Sequence, residues 1–194
     1  IILYTSNVEE QDSYIKEANK KGYTVLLLDS PIISHLIQKL ETSKEKISFT
    51  RVDSDAIENL IKKDIKNVSK LNDKEQEKLK SQIEEVVPKE KYTIQLQAMD
   101  SDALPLIITE PEFMRRMKDM QNSGGNSMFG NMPEIHNLIV NTNNELVIGI
   151  LNSKTKNKRE RLIKQAIDLA KLSKNLLKGE DLTNFIKRSF DLIK

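Results

Sequence analysis

The residue types that most often carry enzyme chemistry are sparse in this chain of 194 residues. Cys is absent, and the two His residues, His35 and His136, are far apart with no second type of metal ligand at zinc-like spacing beside either. Carboxylates are abundant, but runs such as KEQEK at 74–78 are typical of a solvated helix face with ion pairs between successive turns. We therefore predict no metal site and no catalytic centre, and interpret both His residues as structural or surface residues.

A glycine-rich stretch, SGGNS at 123–127, is the other feature that could hold a ligand. It lacks the Gly-Lys-Ser/Thr ending of a phosphate loop, and it follows a predicted helix instead of opening one after a strand, so no nucleotide site is predicted. The net charge of +2, with basic and acidic residues interleaved, gives little support to a nucleic-acid partner. The longest apolar run, 25–28, is far too short to span a membrane.

Methionine is the residue with an unusual distribution, since five of the six Met residues lie between 113 and 132. A helix is predicted after Thr109, and one stripe of it is apolar: Phe113, Met114, Met117 and Met120. The opposite face carries the charged residues Arg115, Arg116, Lys118 and Asp119. The same apolar chemistry recurs in the glycine-rich tract, at Met128 and Phe129.

This Met stripe has two interpretations, a buried core contact within the chain or an exposed surface that binds partners. Met is flexible and polarizable, and it is over-used at surfaces that accept many partners. The Gly-, Asn- and Ser-rich tract predicts a mobile loop, which cannot easily bury an aromatic side chain of its own. These features favour the exposed surface.

The N-terminal residues predict a β-α-β-α segment. IILYT and YTVLLLDS are apolar runs of strand length, which predict two buried parallel strands. The polar stretch 12–21 between them predicts a helix that ends at Gly22. Pro31 then opens a second helix with one apolar face.

The next segment is predicted to be rich in helix, with one small sheet. A helix over 57–68 is followed by another that starts at Asn72, where Glu75 completes a variant of the capping box. Three strands are predicted to form the sheet, at 92–98, 104–109 and 135–140. Thr109 and Thr142 each precede a Glu by three residues, so we expect a helix to begin after each of the last two strands.

Two long amphipathic helices are predicted to close the chain, over 158–178 and 181–193. Gly179 is expected to end the first, and Asp181 to cap the second. Their apolar side consists of Leu162, Leu169, Leu176, Leu182, Phe185, Ile186 and Ile193. The predicted fold class is mixed α+β: a β-α-β-α segment, then a helix-rich domain with a three-stranded sheet and a C-terminal helical bundle.

Several stretches resemble the C-terminal part of the HtpG family, the bacterial branch of the ninety-kilodalton heat-shock chaperones. They are DALPLIITEPEFMRRMKDM, the glycine-rich loop, PEIHNLIVNTNNELV and LAKLSKNLLKGEDLTNFIKRSFDLI. IILYT to VLLLDSPIISHLIQKLE is similar to the end of that family's middle domain. The resemblance implies two domains, with 1–52 ending the middle domain and 53–194 forming the C-terminal domain. It also implies a homodimeric, ATP-driven chaperone of the bacterial cytoplasm, a stress-response protein that acts on unfolded or partly folded clients.

The resemblance further implies roles for particular residues. The family's client-contacting helix matches the Met stripe, and its dimer contact, a four-helix bundle, matches the apolar residues of the two closing helices. The family's nucleotide site and catalytic arginine lie in earlier regions, so ATP and Mg²⁺ belong to a longer protein; no cofactor and no ATP hydrolysis are expected here. Family members often place an acidic residue and an aromatic where this chain has Ser34 and His35, so no client contact is carried over to that helix.

Two alternatives remain open. A structural dimerisation module without client binding would keep the closing helices but bury the Met stripe, and any single apolar residue of those helices could instead pack within its own chain. An enzyme is the other alternative, and the sparse reactive chemistry disfavours it.

Overall fold

The computed structural model describes most of the chain, namely residues 1–30, 32–44, 46–61, 67–122 and 135–193, without the side chains of 58, 118–122, 192 and 193. The chain divides into two compact units, one formed by Ile1–Lys63 and Thr109–His136, the other by Asp64–Ile108 and Asn137–Lys194. Each unit therefore draws on two separate stretches of sequence. The domain boundary expected after residue 52 stays a prediction.

A three-stranded parallel sheet forms the centre of the first unit. Its strands are β1 (Ile2–Thr5), β2 (Val25–Leu27) and β3 (Phe49–Arg51), in the order β2-β1-β3. The parallel pairing of the first two strands confirms the prediction. The third strand is new: it has three residues, too few to show a pattern in the sequence. The second strand was expected to be buried, but it lies at the sheet edge, where Leu26 and Leu27 are exposed.

The helices of the first unit cover both faces of this sheet. They are α1 (Asp12–Lys20), α2 (Ile33–Ser43), α3 (Ile57–Leu60) and α5 (Glu112–Asn122). Successive strand residues point to opposite faces, so Leu3 packs in a cluster with Ala18 of α1, whereas Tyr4 packs with Ile37 of α2. As predicted, α1 is followed by Gly22, whose φ of +82° is a conformation that glycine adopts without strain.

The second unit joins four helices to another three-stranded sheet. These elements are α4 (Asp73–Glu84), β4 (Tyr92–Gln97), β5 (Leu106–Thr109), β6 (His136–Asn141), α6 (Glu145–Leu151), α7 (Lys156–Ser173) and α8 (Gly179–Ile193). The strand order β4-β6-β5 confirms the predicted sheet. With the first unit, it makes the mixed α+β fold class that the sequence predicts. None of the described helices has both the length and the apolar character needed to cross a bilayer.

Capping decides where the helices around this sheet begin. The capping box at Asn72 and Glu75 is confirmed, with both reciprocal hydrogen bonds present. A helix begins after each of the last two strands, which confirms that prediction. The cap of α6, however, is Asn144, whose side chain accepts from the Leu146 N–H, so Thr142 does not cap this helix. Thr109 likewise lies within β5 and does not cap α5.

The helix predicted over 57–68 is shorter than expected. The described part of it, α3, ends at Leu60, and 67–70 are not helical. Near the far end of the predicted helix, the side chain of Asn143 accepts from the Lys70 N–H at 2.7 Å and donates to the Val68 carbonyl at 3.1 Å. These backbone groups are bound to a side chain and not to a helical turn, and Val68 is exposed.

The end of α7 also differs from the prediction. The helix ends at Ser173, and Asn175 takes the left-handed conformation with φ +56°. The Asn175 N–H bonds the Leu172 carbonyl and the Leu176 N–H bonds the Lys171 carbonyl, which is the Schellman arrangement. Gly179 is already the first residue of α8, so the predicted stop at Gly179 and cap at Asp181 are wrong.

Candidate functional site

Reactive side chains are not brought together in the part of the chain that the structure describes. No group of three His, Asp or Glu residues among the described ones is placed to hold a metal ion. His35 is exposed on α2, whereas His136 is buried in β6. The features that stand out are two exposed apolar surfaces, one in each unit.

The first surface is on α5. Arg115 anchors the charged face of this helix to the rest of the first unit. Arg115 is only 4% exposed. Its Nη2 atom donates to the Tyr4 hydroxyl and to the Glu112 carboxylate, each at 2.5 Å. Burial raises the pKa of Tyr4 to about 12, so this hydroxyl is neutral over the physiological pH range and serves as an acceptor for the guanidinium.

Arg116 makes the second anchor. Its two Nη atoms donate to the Glu41 carboxylate of α2 at 2.8 and 3.1 Å, and Nη2 also donates to the Phe49 carbonyl of β3 at 2.8 Å. The hydrogen bonds from Arg116 lower the pKa of Glu41, which also accepts from the Phe49 N–H. The two hydrogen bonds to Glu41 fit the planar, bidentate geometry of a guanidinium group. Arg116 therefore links α5 to both α2 and β3.

The apolar stripe of α5 lies opposite these anchors. Phe113 is 68% exposed, and Met114 and Met117 beside it are half-buried. Among the other predicted client-binding residues, the side chain of Met120 and both Met128 and Phe129 lie outside the described residues. The helix thus docks through its charged face.

Sequence reasoning missed the partners that orient α5. Tyr4 and Glu41 are 111 and 75 residues from the arginines that they bind, and nothing in a local pattern links them. It also missed that Leu36 of α2, and Ile32 just before that helix, are exposed. The periodicity of α2 marks its apolar residues but does not say which of them a neighbour covers.

The second surface lies on the closing helices, which are joined by a polar seam. Arg188 of α8 donates to Asp168 of α7 at 2.6 Å and to the Gln165 side chain at 2.8 Å. Gln165 in turn donates to the Ser189 hydroxyl at 3.0 Å. The seam ties α8 to α7, and Ile186 and Phe190 of α8 are exposed beside it along the helix.

The predicted dimer residues divide between the interior and the surface. Leu162 and Leu176 pack against the core cluster of the second unit, Phe185 is buried, and Leu182 is half-buried. Leu169 and Ile186 are exposed, and the side chain of Ile193 lies outside the described residues.

Two exposed apolar residues of the closing helices were not predicted, namely Leu172 and Phe190. We call Leu169, Leu172, Ile186 and Phe190 the closing-helix face. Phe190 follows Ile186 by four residues, so helical spacing was a signal that could have found it.

Comparison with known proteins identifies the family. No family model matches the chain. The chaperone protein HtpG of Bacteroides thetaiotaomicron is 33% identical over an alignment of 261 residues that covers 100% of this chain. HtpG of Porphyromonas gingivalis is 34% identical over 176 residues, covering 89% of the chain. The chain is a homologue of the HtpG chaperones.

This homology to HtpG confirms the resemblance seen in the sequence. The chain spans 38% of the length of the Bacteroides thetaiotaomicron HtpG and 26% of the length of the Porphyromonas gingivalis HtpG. The longer alignment has 261 positions, whereas the chain has 194 residues, so that HtpG has residues within the matched stretch that have no counterpart here.

Proposed function

We propose that this HtpG homologue provides client-binding and homodimer-forming surfaces of a molecular chaperone for unfolded or partly folded proteins. The orientation of α5 is the observation that carries the proposal. Two buried or half-buried arginines hold the helix by its charged face, and Phe113 is left 68% exposed on the other side. A helix fixed in this way presents apolar side chains without needing its own core to cover them.

The exposed residues suit a client of variable sequence. Burying a Phe or Met side chain contributes roughly 1.5 to 3 kcal/mol, so Phe113 and the exposed parts of Met114 and Met117 forgo stability that a bound apolar segment would restore. Met adapts its shape to different partners because its side chain is unbranched and flexible. An unfolded polypeptide exposes apolar segments that could bind here, whereas a folded protein buries such segments.

The closing-helix face suits a second copy of the chain. Leu169, Leu172, Ile186 and Phe190 are between 42% and 63% exposed, and they lie on two helices that the Arg188 seam already holds together. Two such helix pairs, related by a two-fold axis, would bury these residues in a four-helix bundle.

The remaining roles belong to a longer protein. We expect ATP and Mg²⁺ to bind in regions of HtpG proteins that have no counterpart in this chain, and the chaperone to act in the bacterial cytoplasm. The purified chain is accordingly expected to hydrolyse no ATP, which a steady-state assay of phosphate release checks.

Two matched substitutions test the proposal. Phe113→Ser and Phe190→Ser each remove an aromatic side chain that is more than 60% exposed, one from each surface (68% and 63%). We expect Phe113→Ser to weaken binding of a chemically unfolded model protein about tenfold without changing the solution mass. Phe190→Ser should shift the monomer–dimer equilibrium about tenfold towards monomer and leave client affinity per chain unchanged. Fluorescence anisotropy measures the first effect, and light scattering across a dilution series measures the second.

The opposite pattern identifies the competing explanation. If Phe113→Ser lowers the melting temperature and client binding is unaltered, the Met stripe is structural and the chain is a dimerisation module alone. A wild-type chain that is monomeric at every concentration would contradict the dimer part of the proposal.

A further inference from the structure

We propose that Met114 and Met117 are oxidation sites that switch off the client surface of α5. A peroxide would convert their thioethers to sulfoxides, so that the apolar stripe becomes polar while the helix stays docked. The inference rests on the client-binding role proposed above.

The distribution of sulfur in the chain motivates this proposal. With no Cys, methionine supplies all the sulfur, and five of the six Met residues lie between 113 and 132. Met114 and Met117 are half-buried on α5, so solvent reaches part of each side chain, whereas Met99 is 1% exposed in the second unit. Oxidation depends on access, so a dissolved oxidant should react with Met114 and Met117 before Met99.

The chemistry is a two-electron oxygen transfer. The thioether sulfur attacks one oxygen of hydrogen peroxide, a sulfur–oxygen bond forms, and the oxygen–oxygen bond breaks. Proton transfer to the leaving oxygen releases water, so the sulfur is oxidised and the peroxide is reduced. The sulfoxide is polar, and methionine sulfoxide reductases, which draw electrons from thiols, return it to the thioether.

Because polar contacts hold α5 in place, oxidation of Met114 and Met117 should change the chemistry of its apolar face without displacing the helix. Arg115 bonds Tyr4 and Glu112, and Arg116 bonds Glu41, Glu112 and the Phe49 carbonyl, so every one of these contacts is between oxygen and nitrogen atoms. Oxidation of the opposite face leaves them intact. By contrast, sulfoxide formation at a core methionine such as Met99 would place a polar group among packed side chains and lower stability.

Graded peroxide treatment of the full chain tests the proposal. Peptide mass spectrometry should show Met114 and Met117 oxidised at least about tenfold faster than Met99. At the dose that oxidises them, affinity for the unfolded model protein should fall about tenfold with no change in melting temperature. A methionine sulfoxide reductase with a thiol reductant should restore the affinity.

Leucine variants provide the controls, since Leu keeps the apolar volume and cannot be oxidised. In a background where Met120, Met128 and Met132 are replaced by Leu, peroxide should still weaken client binding. Adding Met114→Leu and Met117→Leu to that background should make the affinity after peroxide equal to the affinity before it, whatever that starting affinity is. Met99→Leu should remain as sensitive as the wild type. If the variant without Met114 and Met117 still loses affinity on peroxide treatment in that background, or if the oxidised wild type binds as before, the proposal is overturned. If the untreated protein does not bind the unfolded model protein, the proposed function is contradicted. Peptide mass spectrometry would still show whether Met114 and Met117 are oxidised before Met99.

Discussion

The helices α5 and α8 are both amphipathic and both expose a Phe, yet they are held in opposite ways. In α5 the charged face is inward, where Arg115 and Arg116 bind acceptors on the first unit. In α8 part of the apolar face is inward, since Phe185 is buried, and the Arg188 seam closes one edge. An amphipathic pattern therefore identifies an apolar face without saying whether the protein's own core covers it.

The two modes of attachment differ in energetics as well as in geometry. Ion pairs that leave water lose hydration, so the anchors of α5 add less net stability than their number suggests, and their directional bonds mainly fix its orientation. The buried apolar residues of the second unit stabilise α7 and α8 by removing apolar area from water. The Met stripe of α5 is thus oriented by polar contacts on the other face of the helix, and the closing-helix face by packing beside it.

The largest effect is expected from Arg115→Met. The substitution leaves the Tyr4 hydroxyl and the Glu112 carboxylate without their shared donor, so the free energy of unfolding should fall by about 2 to 3 kcal/mol. Arg161→Met, at an exposed position on α7, is the control and should change it by less than about 0.5 kcal/mol. Urea denaturation measures both. Equal stabilities would show that the charged face of α5 does not anchor it.

A smaller effect is expected from Glu41→Gln. The amide keeps the shape but loses the charge that Arg116 binds, and we expect a loss of about 1 to 2 kcal/mol at pH 7. The pKa of Glu41 is lowered from 4.5, so its ionised form stabilises the fold above that pH and the contribution is lost as the pH falls through the lowered value. The difference in the free energy of unfolding between variant and wild type should therefore shrink below pH 4.5.

The control for this pH dependence lies in the second unit. Glu85 pairs with Lys156, but their side chains are 50% and 67% exposed, so Glu85→Gln should have almost no effect at any pH. Thermal unfolding at a series of pH values measures both variants. If Glu41→Gln leaves the pH dependence of thermal stability unaltered, Glu41 does not contribute to holding α5 in place.

The smallest effect is expected from Asn175→Ala, between α7 and α8. Asn tolerates the left-handed conformation with φ +56° better than Ala does, so the free energy of unfolding should fall by about 0.5 to 1 kcal/mol. Asn175→Gly should not destabilise the protein in this way. If Ala and Gly behave alike in urea denaturation, the turn does not fix how α8 meets α7.

Local patterns predicted the elements that local physics determines. The parallel β-α-β start, the capping box at Asn72 and the three-stranded sheet of the second unit follow from apolar runs and from capping residues a few positions apart. The prediction of a helix over 57–68 failed at Val68, whose carbonyl accepts instead from the side chain of Asn143, 75 residues away. Long-range hydrogen bonds leave no mark in the spacing of nearby residues.

The candidate surfaces show the same limit. Helical spacing found Phe113 and Leu169 as members of apolar stripes, but it could not say that Phe113 is exposed because Tyr4 and Glu41 hold the opposite face. It also grouped Leu162 with Leu169, although Leu162 packs on the core and Leu169 is 49% exposed. Which residues of a stripe remain exposed depends on elements elsewhere in the chain.

The distance along the chain between Tyr4 and Arg115 also affects how the protein is made. A ribosome adds roughly 5 to 20 residues per second, so about 6 to 22 seconds separate the synthesis of these two partners, which are 111 residues apart. During that interval Tyr4 and Glu41 have been made, but α5 does not yet exist. The nascent first unit therefore cannot take its final form until most of the second sheet has been translated.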